Sequence, residues 1–416
     1  MSVAISNPDA RTSVKLSNGA TLHLPSHQAA EAGPRVMDTV KILPSVTTTS
    51  SFGNFIDLVI NPGDIDILSD AWLVLNVGQL TATGTDPTGV CFANDARFWL
   101  QHYDVLLPDG TTAETYYPDS NYIRSLLFET AEIKARMFKG VGNASLTARG
   151  TLNGSSGQTV YIPLYGFWSA GRGFLMRTLN GPIRIRAYLE QLSNLVNVAS
   201  GTATAAACTI NSTFLYVKGV DFSQNQQALQ SLVLHNRKLG AVQNMFSTPI
   251  QMVKQVLQPG TTTYSISMSS FIGNFSSLAF VVRTQAHVNT AFANAYDSYA
   301  AVASYALKTS NGTIVNGTTY PDGFVQDMLL PLYFKGDATD SSSTTPKAVY
   351  VIPFASKPQY AIEKGIQTGS FAMSGFEQLQ ITFSSALSAA VCVDIIGWQY
   401  KYAQVDSAGG VKILNA

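Results

Sequence analysis

The chain has 416 residues, enough for two or three domains with sizeable hydrophobic cores. Hydrophobic residues make up 46% of it, which excludes a disordered protein, whereas charged residues make up only 12%. Lysine plus arginine equals aspartate plus glutamate at 26 each, so the net charge is zero. This balance gives no electrostatic case for binding nucleic acid or a membrane surface, and the low charge favours a β-rich protein whose surface is covered by neighbouring subunits.

Residues 1–36 are expected to form an N-terminal arm. Its few basic residues are Arg11, Lys15 and Arg35, which are too few for a genome-binding arm. The first residues contain no basic stretch followed by an apolar one, so we expect no signal peptide, and no stretch approaches the ~20 apolar residues that span a bilayer. The three cysteines are far apart and odd in number, which favours small buried side chains in a reducing compartment over disulfides: Cys91, Cys208 and Cys392.

Strand signals dominate the chain. Runs rich in β-branched and aromatic residues, most of them bounded by Gly, Asn, Pro or Ser, predict nine strands. They are Phe55–Ile60, Trp72–Val77, Thr159–Leu164, Ile183–Leu189, Thr213–Val217, Leu278–Arg283, Val349–Phe354, Leu379–Phe383 and Val391–Tyr402. Residues Ile183–Leu189 alternate between apolar and polar, which indicates a strand with one buried face.

Helical signals are few. Tyr122–Met137 places apolar residues on one face, with acidic residues early and basic residues late, as the helix dipole prefers. Asn289–Leu307 is rich in alanine and predicts a second helix, and Ser223–Leu234 predicts a short third one.

Two short sequence matches predict an internal duplication. Val59-Ile-Asn-Pro-Gly63 recurs as Val256-Leu-Gln-Pro-Gly260. Val160-Tyr-Ile-Pro-Leu164 recurs, with one extra residue, as Val349-Tyr-Val-Ile-Pro-Phe354. The matches occur in the same order at nearly constant spacing, so each half is expected to be a β domain of roughly 190 residues. Short strands with long connections and no regular short repeat favour a sandwich or jelly roll over a propeller.

We therefore expect an all-β chain of two tandem antiparallel β-sandwich jelly rolls, with a few short helices in the long loops. The expected boundaries are a first jelly roll at 37–222, a linker at 223–238, a second jelly roll at 239–405 and a C-terminal tail at 406–416. If the duplication is real, Pro62 and Pro259 should occupy equivalent strand ends. Pro163 and Pro353 should likewise occupy equivalent strand edges or bulges, because proline donates no ladder hydrogen bond.

Residues Val349–Phe383 resemble the second jelly roll of major capsid proteins from nucleo-cytoplasmic large DNA viruses and their relatives in the PRD1-adenovirus lineage. The matching features are an Ile-Pro-Phe strand, a Gly-Ser-x-x-x-Ser turn and a closing Leu-x-Ile-x-Phe strand. They correspond to Ile352–Phe354, then Gly369, Ser370 and Ser374, then Leu379, Ile381 and Phe383.

The first half resembles the same family at Ile162-Pro-Leu-Tyr-Gly-Phe-Trp168, followed by Gly173-Phe-Leu and Ile183-Arg-Ile-Arg. Met176-Arg-Thr-Leu179 departs from it, since the family usually has an apolar Leu-Pro-Leu stretch there. The helix predicted at Tyr122–Met137, with the glycines that follow it, resembles the family's helix between strands.

The resemblance implies a structural protein and not an enzyme. It implies a homotrimer with a pseudo-hexagonal outline that contacts neighbouring capsomers and tiles the icosahedral shell of a double-stranded DNA virus. Further implied partners are penton and minor capsid proteins, without sequence-specific nucleic-acid binding, and whether an internal membrane is a partner stays open. The location implied is the virion, assembled in the infected host cell. The long connections 104–158 and 285–346 are expected on one common face of the trimer, away from the capsid interior.

The histidines give little support for a metal site. His23 and His27 are four residues apart, a spacing that places two ligands on one helix face, but Pro25 between them argues against a helix. The other three histidines have no cysteine or acidic partner at ligand spacing: His102, His235 and His287. We therefore expect no metal, no cofactor and no catalytic residue.

Two other motifs could carry chemistry. Asp64 and Asp66 resemble an acidic metal pair, but the second half has Thr262 and Tyr264 in comparable places, so we favour two solvent-facing acids on a strand. Gly140-Val-Gly-Asn-Ala-Ser follows a candidate helix instead of preceding one, which indicates a turn and not a nucleotide site. Neither a serine-nucleophile elbow nor a phosphate-binding loop motif occurs.

Modification and contact sites are weakly indicated. Six Asn-x-Ser/Thr sequons occur, and chance accounts for them in a chain rich in these residues: Asn143, Asn153, Asn211, Asn274, Asn311 and Asn316. The basic cluster His235-Asn-Arg-Lys238 in the linker is expected to be a solvated turn, with contact to an internal membrane or genome as the alternative.

Two rival functions stay open. A viral fibre, adhesin or carbohydrate-binding sandwich would have an aromatic platform in its loops and would not self-assemble. A carbohydrate-active enzyme on a β-sandwich would have a deep cleft with paired carboxylates, and sequence separation does not report the distance between two carboxylates.

Overall fold

The computed structural model describes residues 13–15, 21–23, 37–45, 50–88, 90–92, 96–141, 158–171, 173–198, 200–222, 226–239, 242–284, 300–339 and 347–416. Among these residues, no helix is both long and apolar enough to cross a membrane. Two short strands, β1 (Ser13–Lys15) and β2 (Thr21–His23), pair with each other within the expected arm.

The first half forms a sandwich of two antiparallel sheets. One sheet has the order β10-β5-β15-β3, with β11 also paired to β5, and the other has the order β4-β12-β8-β9. The strands are β3 (Met37–Pro44), β4 (Phe55–Ile60), β5 (Ile67–Val77), β8 (Leu100–Leu106), β9 (Thr112–Tyr116), β10 (Gln158–Leu164), β11 (Phe174–Leu175), β12 (Ile183–Leu189) and β15 (Ile210–Asp221).

Two further strand pairs lie outside this sandwich. Strand β6 (Thr81–Thr88), from the connection between β5 and β8, pairs with β14 (Ser200–Ala207), from the connection between β12 and β15. Strands β7 (Cys91–Phe92) and β13 (Val196–Asn197) pair in the same two connections. These loops therefore meet at one end of the sandwich.

The second half repeats the arrangement. One sheet has the order β16-β24-β18-β21, with β22 paired to β18 and β25 to β24, and the other has the order β17-β23-β19-β20. The strands are β16 (Val242–Leu257), β17 (Thr263–Ser267), β18 (Ile272–Thr284), β19 (Ser304–Lys308), β20 (Tyr320–Pro321), β21 (Val349–Pro353), β22 (Phe371–Ser374), β23 (Gln378–Thr382), β24 (Val391–Val405) and β25 (Val411–Asn415).

The two halves have the same strand order. Eight strands of the first half correspond one to one, in chain order and in sheet position, to eight strands of the second. They are β3, β4, β5, β8, β9, β10, β12 and β15 in the first half, and β16, β17, β18, β19, β20, β21, β23 and β24 in the second. Each half is an eight-stranded jelly roll in which successive connections alternate between the two ends of the sandwich. The fold class expected from the sequence is therefore confirmed, and we name the halves the first and second rolls.

The helices lie in the connections between strands. They are α1 (Pro118–Phe128), α2 (Ala131–Gly140), α3 (Gln226–Leu239), α4 (Asp322–Phe324), α5 (Leu330–Tyr333) and α6 (Gln359–Glu363), with a π-helical turn at Val325–Leu329 between α4 and α5. Short 3₁₀ turns occur at Ala96–Trp99, Met176–Thr178, Leu192–Asn194 and Val315–Gly317.

The predicted helices have mixed outcomes. Tyr122–Met137 falls on two helices, because the extended backbone at Glu129 ends α1 and α2 begins two residues later. The helix Asn289–Leu307 is wrong at its end, where Ser304–Lys308 forms strand β19, and residues 289–299 lie outside the described residues. Ser223–Leu234 overlaps α3, which begins at Gln226 and continues to Leu239.

The Pro-Gly half of the predicted repeat is wrong. Pro62 lies in the connection from β4 to β5, whereas Pro259 lies in the connection from β16 to β17, so the two turns are not equivalent. Pro163 and Pro353 do lie on equivalent edge strands, β10 and β21. Since only one of the two matches coincides, the predicted sequence repeat is a coincidence, and what the two halves share is their strand order.

A pair of stacked tyrosines occupies the same place in each core. Tyr103 of β8 stacks on Tyr116 of β9 with ring centroids 5.1 Å apart, and Tyr305 of β19 stacks on Tyr320 of β20 at 5.2 Å. The hydroxyl of Tyr103 accepts a hydrogen bond from the backbone N–H of Tyr165 at 2.7 Å, and that of Tyr305 accepts one from Val351 at 3.1 Å. Each pair thus links the two sheets of its roll through one hydroxyl.

Candidate assembly surfaces

Asp66 is not a solvent-facing acid as expected. Its side chain is buried, and its carboxylate accepts hydrogen bonds from Arg177 Nε at 2.6 Å and from the backbone N–H of Phe222 at 2.6 Å. Asp64 is half-buried and accepts from the backbone N–H of Asn61 at 2.7 Å within its own turn. The two acids therefore stabilise local structure, and Asp66 fixes the end of β15 where the chain leaves the first roll.

The basic cluster His235-Asn-Arg-Lys238 is also not a solvated turn. It lies in the last turn of α3, and Arg237 donates hydrogen bonds to the carbonyl oxygens of Thr178 at 3.0 Å and Leu179 at 3.2 Å. Leu229 of α3 packs with Ile67, Leu175 and Phe222 of the first roll. The linker helix is therefore docked on the first roll.

The remaining motifs form no metal or nucleotide centre in the part of the chain that the structure describes. His23 lies in β2 and His27 outside the described residues, as does His287. His102 stacks on Tyr188 with ring centroids 4.3 Å apart, an aromatic contact on the sheet surface. Within the described ranges, no group of three or more His, Cys, Asp or Glu side chains could hold a metal ion. Residues 142–145 of the glycine motif are not described.

The sequons do not collect on one face. Asn311 and Asn316 lie in the connection between β19 and β20, whereas the helical segment 322–333 lies in the next connection. Successive connections of a jelly roll lie at opposite ends, so the expectation that 285–346 rises on a single face is wrong. Asn211 lies on β15 and Asn274 on β18, while the other two sequons, Asn143 and Asn153, lie outside the described residues.

The two rolls pack against each other along a seam. The sheet β16-β24-β18-β21 has an inner face towards its own core and an outer face, and side chains directly opposite one another on paired strands share a face. The outer face carries Ala279, Val281, Val351, Ile396 and Trp398, each at most 4% exposed. We call these five residues the second-roll outer face.

Helix α1 of the first roll covers this face. Its apolar side chains belong to the core cluster of the second roll, together with Trp398 and Ile396. The ring of Phe128 meets that of Trp398 edge to face, with centroids 5.0 Å apart. Pro118 at the start of α1 and Asp119 in its first turn suit a helix N-terminus. A helix from one roll therefore completes the core of the next.

Polar contacts also join the two rolls at the seam. The backbone N–H of Gly336 donates to the carbonyl oxygen of Leu127 at 2.8 Å, which caps the end of α1 with the chain of the second roll. Lys134 of α2 is buried and forms an ion pair with Asp337. Burial raises the pKa of Asp337, but hydrogen bonds from Lys134 and Thr339 outweigh it and lower the pKa to about 2.

A cavity of about 280 Å³ lies in the same seam, between β9 of the first roll and β16 and β24 of the second. Glu114 on its wall is buried and accepts a hydrogen bond from the hydroxyl of Tyr116 at 2.7 Å. Burial raises the pKa of Glu114 and lowers that of Lys401, which also lines the cavity. The described lining contains one carboxylate, so it is not the carboxylate pair that glycoside hydrolysis requires.

The first roll presents the equivalent face to solvent. Cross-strand register places Ile42, Tyr216, Trp72 and Pro163 in one row, which matches the row of Pro249, Trp398, Ser277 and Pro353 in the second roll. Ile42 is 57% exposed and Tyr161 42%, whereas Trp398 of the covered row is 0% exposed. We define the first-roll outer patch as Ile42, Trp72, Tyr161, Phe214 and Tyr216.

One signal in the sequence was missed. Tyr117-Pro118-Asp119 precedes α1 and recurs as Tyr320-Pro321-Asp322 before the helical segment 322–333. The first motif follows directly after β9, and the second begins within β20, at its stacked Tyr320, so both lie where the chain passes from this strand into a helix. This match identifies the true counterpart of α1, which the Pro-Gly match did not.

No family model matches the sequence, and no curated protein matches it in sequence. Solved structures do match in fold. A chain of the PBCV-1 virus capsid has a TM-score of 0.62 at 15% identity, over 92% of this chain and 97% of its own. The Faustovirus major capsid protein has a TM-score of 0.63 at 10% identity, over 92% and 91%. A chain of the Sputnik virophage has a TM-score of 0.55 at 11% identity, over 97% and 91%.

At these identities the likeness establishes the fold, and it extends over nearly the full length of each protein. The chain therefore has the double jelly-roll fold of viral major capsid proteins.

Proposed function

We propose that this chain is a major capsid protein, a structural protein that forms trimers and tiles the icosahedral shell of a double-stranded DNA virus. The observation that carries the proposal is the repetition of one roll within the chain, joined by a seam in which a helix of the first roll covers a sheet of the second. Three copies of such a chain supply six similar wedges, the outline that fills a hexagonal lattice.

Composition and surface support the same function. Charged residues are 12% of the chain, and the first-roll outer patch leaves large apolar side chains half-buried or exposed. Exposed apolar patches on a folded protein mark interaction sites. Under this proposal the chain resides in the virion, and its partners are other copies of itself, neighbouring capsomers, and penton and minor capsid proteins.

Light scattering behind a sizing column tests the proposal at micromolar concentration. The expected result is a particle of three chains that does not dissociate on dilution, because an obligate interface of this kind buries more than about 2,000 Å². A protein that elutes as a clean monomer would overturn the proposal, and a monomer that binds oligosaccharide would favour the carbohydrate-binding alternative.

A further inference from the structure

The helical segment 322–333 carries apolar side chains that its own roll does not bury. Phe324 is 43% exposed, Met328 48% and Leu332 65%. Their spacing of four residues places them along one side of the segment. We call these three residues the second-roll strip.

The other side of the same segment is anchored in the second roll. Val325, Leu329 and Leu330 are buried in that roll's core cluster. The strip is therefore held in place by its own roll and points away from it. It is a preformed apolar ridge rather than a segment that must fold on binding.

The first-roll outer patch is a matching apolar surface that is partly exposed in the single chain, and the end of α2 approaches it at Gly140, beside Tyr161. It spans four neighbouring strands, and Tyr161 and Tyr216 meet edge to face on it with ring centroids 6.2 Å apart. Its counterpart in the second roll is covered by α1, the helix that follows β9. The segment 322–333 follows β20, which corresponds to β9 in the strand order.

We infer that the second-roll strip of one copy packs on the first-roll outer patch of the next copy, repeating between chains the contact that α1 makes within the chain. The inference rests on the proposed function and identifies the surfaces that join the trimer. The two surfaces differ, so the contact is head to tail, and such contacts close into a ring when the rotation between copies permits. A ring of three chains then has six similar contacts, because the seam within each chain alternates with the contact between neighbouring chains.

Surface variants test the inference. The strip variant is Met328→Asp with Leu332→Asp. The patch variant is Ile42→Asp with Val40→Asp, because Val40 lies two residues before Ile42 on β3 and so shares its face beside the patch. These four residues are each at least 48% exposed in the single chain, so each variant should still fold. Phe376→Asp is the matched control, because Phe376 is 73% exposed and lies beyond β22, in the connection before β23 at the other end of the roll. We expect the strip and patch variants to lose the trimer and the control to keep it.

Mixing the two variants gives the sharper result. In a head-to-tail contact, the intact strip of the patch variant can bind the intact patch of the strip variant, so the mixture should form dimers that contain one chain of each. Native mass spectrometry distinguishes the two chains by mass. Trimers that persist in both variants would overturn the inference, as would two monomeric variants that form no mixed dimer. A monomeric wild-type chain would instead overturn the proposed function.

Hydroxyl-radical footprinting of the unaltered trimer gives an independent measurement that needs no variant to fold. Phe324, Met328 and Phe376 each have large exposed side chains in the single chain. Methionine and phenylalanine react with hydroxyl radicals at different intrinsic rates, so the two phenylalanines are compared with each other. In the trimer, Phe324 should oxidise several-fold more slowly than Phe376. Rates in proportion to their exposure in the single chain would overturn the inference.

Discussion

Arg283 and Asp394 form a buried ion pair on the outer side of the second roll. Arg283 Nε donates to Asp394 Oδ2 at 2.7 Å, and the backbone N–H of Lys254 donates to Oδ1 at 2.8 Å. Burial raises the pKa of Asp394, and the charge of Arg283 opposes that effect. The backbone of Lys254 has a φ of 57°, a conformation that this hydrogen bond helps to hold.

Arg283→Met should lower the free energy of unfolding by about 3–5 kcal/mol, because it leaves the carboxylate of Asp394 buried without its cation. Arg186→Met is the matched control. Its partner is Asp57 at 2.8 Å, but the two side chains are 35% and 24% exposed, so about 0–1 kcal/mol is expected. Urea unfolding measures both, and equal losses would contradict this account of the buried pair.

Gly336 lies where the second roll touches the end of α1. A Cβ at this position would come within 1.8 Å of the carbonyl oxygen of Leu126, so Gly336→Ala must push the chain away from the helix. We expect a loss of about 1–3 kcal/mol and easier separation of the rolls, measured by thermal unfolding and limited proteolysis.

Gly323→Ala is the control for that substitution, since nothing lies within 4 Å of a Cβ built there. It should be neutral or slightly stabilising, because alanine restricts the unfolded chain. If both alanines have the same effect, the close approach of Gly336 to α1 does not matter for stability.

At the scale of the elements, the ion pair between Lys134 of α2 and Asp337 makes the seam sensitive to acid. The pKa of Asp337 is lowered to about 2 in the folded chain, against an ordinary value of about 3.9 when unfolded. A lowered carboxyl pKa stabilises the fold fully above the unfolded value, and the stabilisation is lost as the pH falls through the folded one.

The unfolding free energy of the unaltered chain should therefore exceed that of Asp337→Asn at pH 7, and the difference should shrink as the pH falls from about 5 to about 2. The side chain of Asp337 is 54% exposed, so solvent screening keeps the difference to about 1 kcal/mol or less. Chemical unfolding of both proteins across this range measures it. A difference that stays constant would mean that the ion pair does not contribute.

The strands that could be predicted are those in which the alternation of apolar and polar residues already indicates which face is buried. Ile183–Leu189 alternates between buried and more exposed residues, and the strand has those bounds. Thr81–Thr88 and Ser200–Ala207 could not be predicted, because they pair only with each other and are largely exposed. Asn289–Leu307 was misassigned at its end because alanine favours helices, while burial of Tyr305–Leu307 in a sheet decides the structure there.

The candidate surfaces could be predicted only in part. The Ile-Pro match identified two equivalent edge strands, whereas the Pro-Gly match joined turns at different places in the two rolls. The Tyr-Pro-Asp match was informative but short. The outer patch itself depends on cross-strand register, since Ile42 and Tyr161 become neighbours of Trp72 and Tyr216 only in the folded sheet.

At the scale of the whole molecule, the chain contains two jelly rolls with the same strand order. One outer sheet face is covered within the chain, and the equivalent face of the other roll is exposed. The seam within the chain buries Trp398 and its neighbours under α1. The first-roll outer patch and the second-roll strip stay on the surface. A single chain therefore has both halves of a further contact but cannot bring them together within itself. This arrangement favours self-assembly over a role as a solitary binding module.

Under the proposed function, three chains close into a pseudo-hexagonal tile. Electron microscopy of the purified, unaltered protein tests it most directly, because class averages show the outline and the symmetry together. We expect a ring of six similar lobes with threefold symmetry. Isolated two-lobed particles, twofold dimers or open filaments would contradict it.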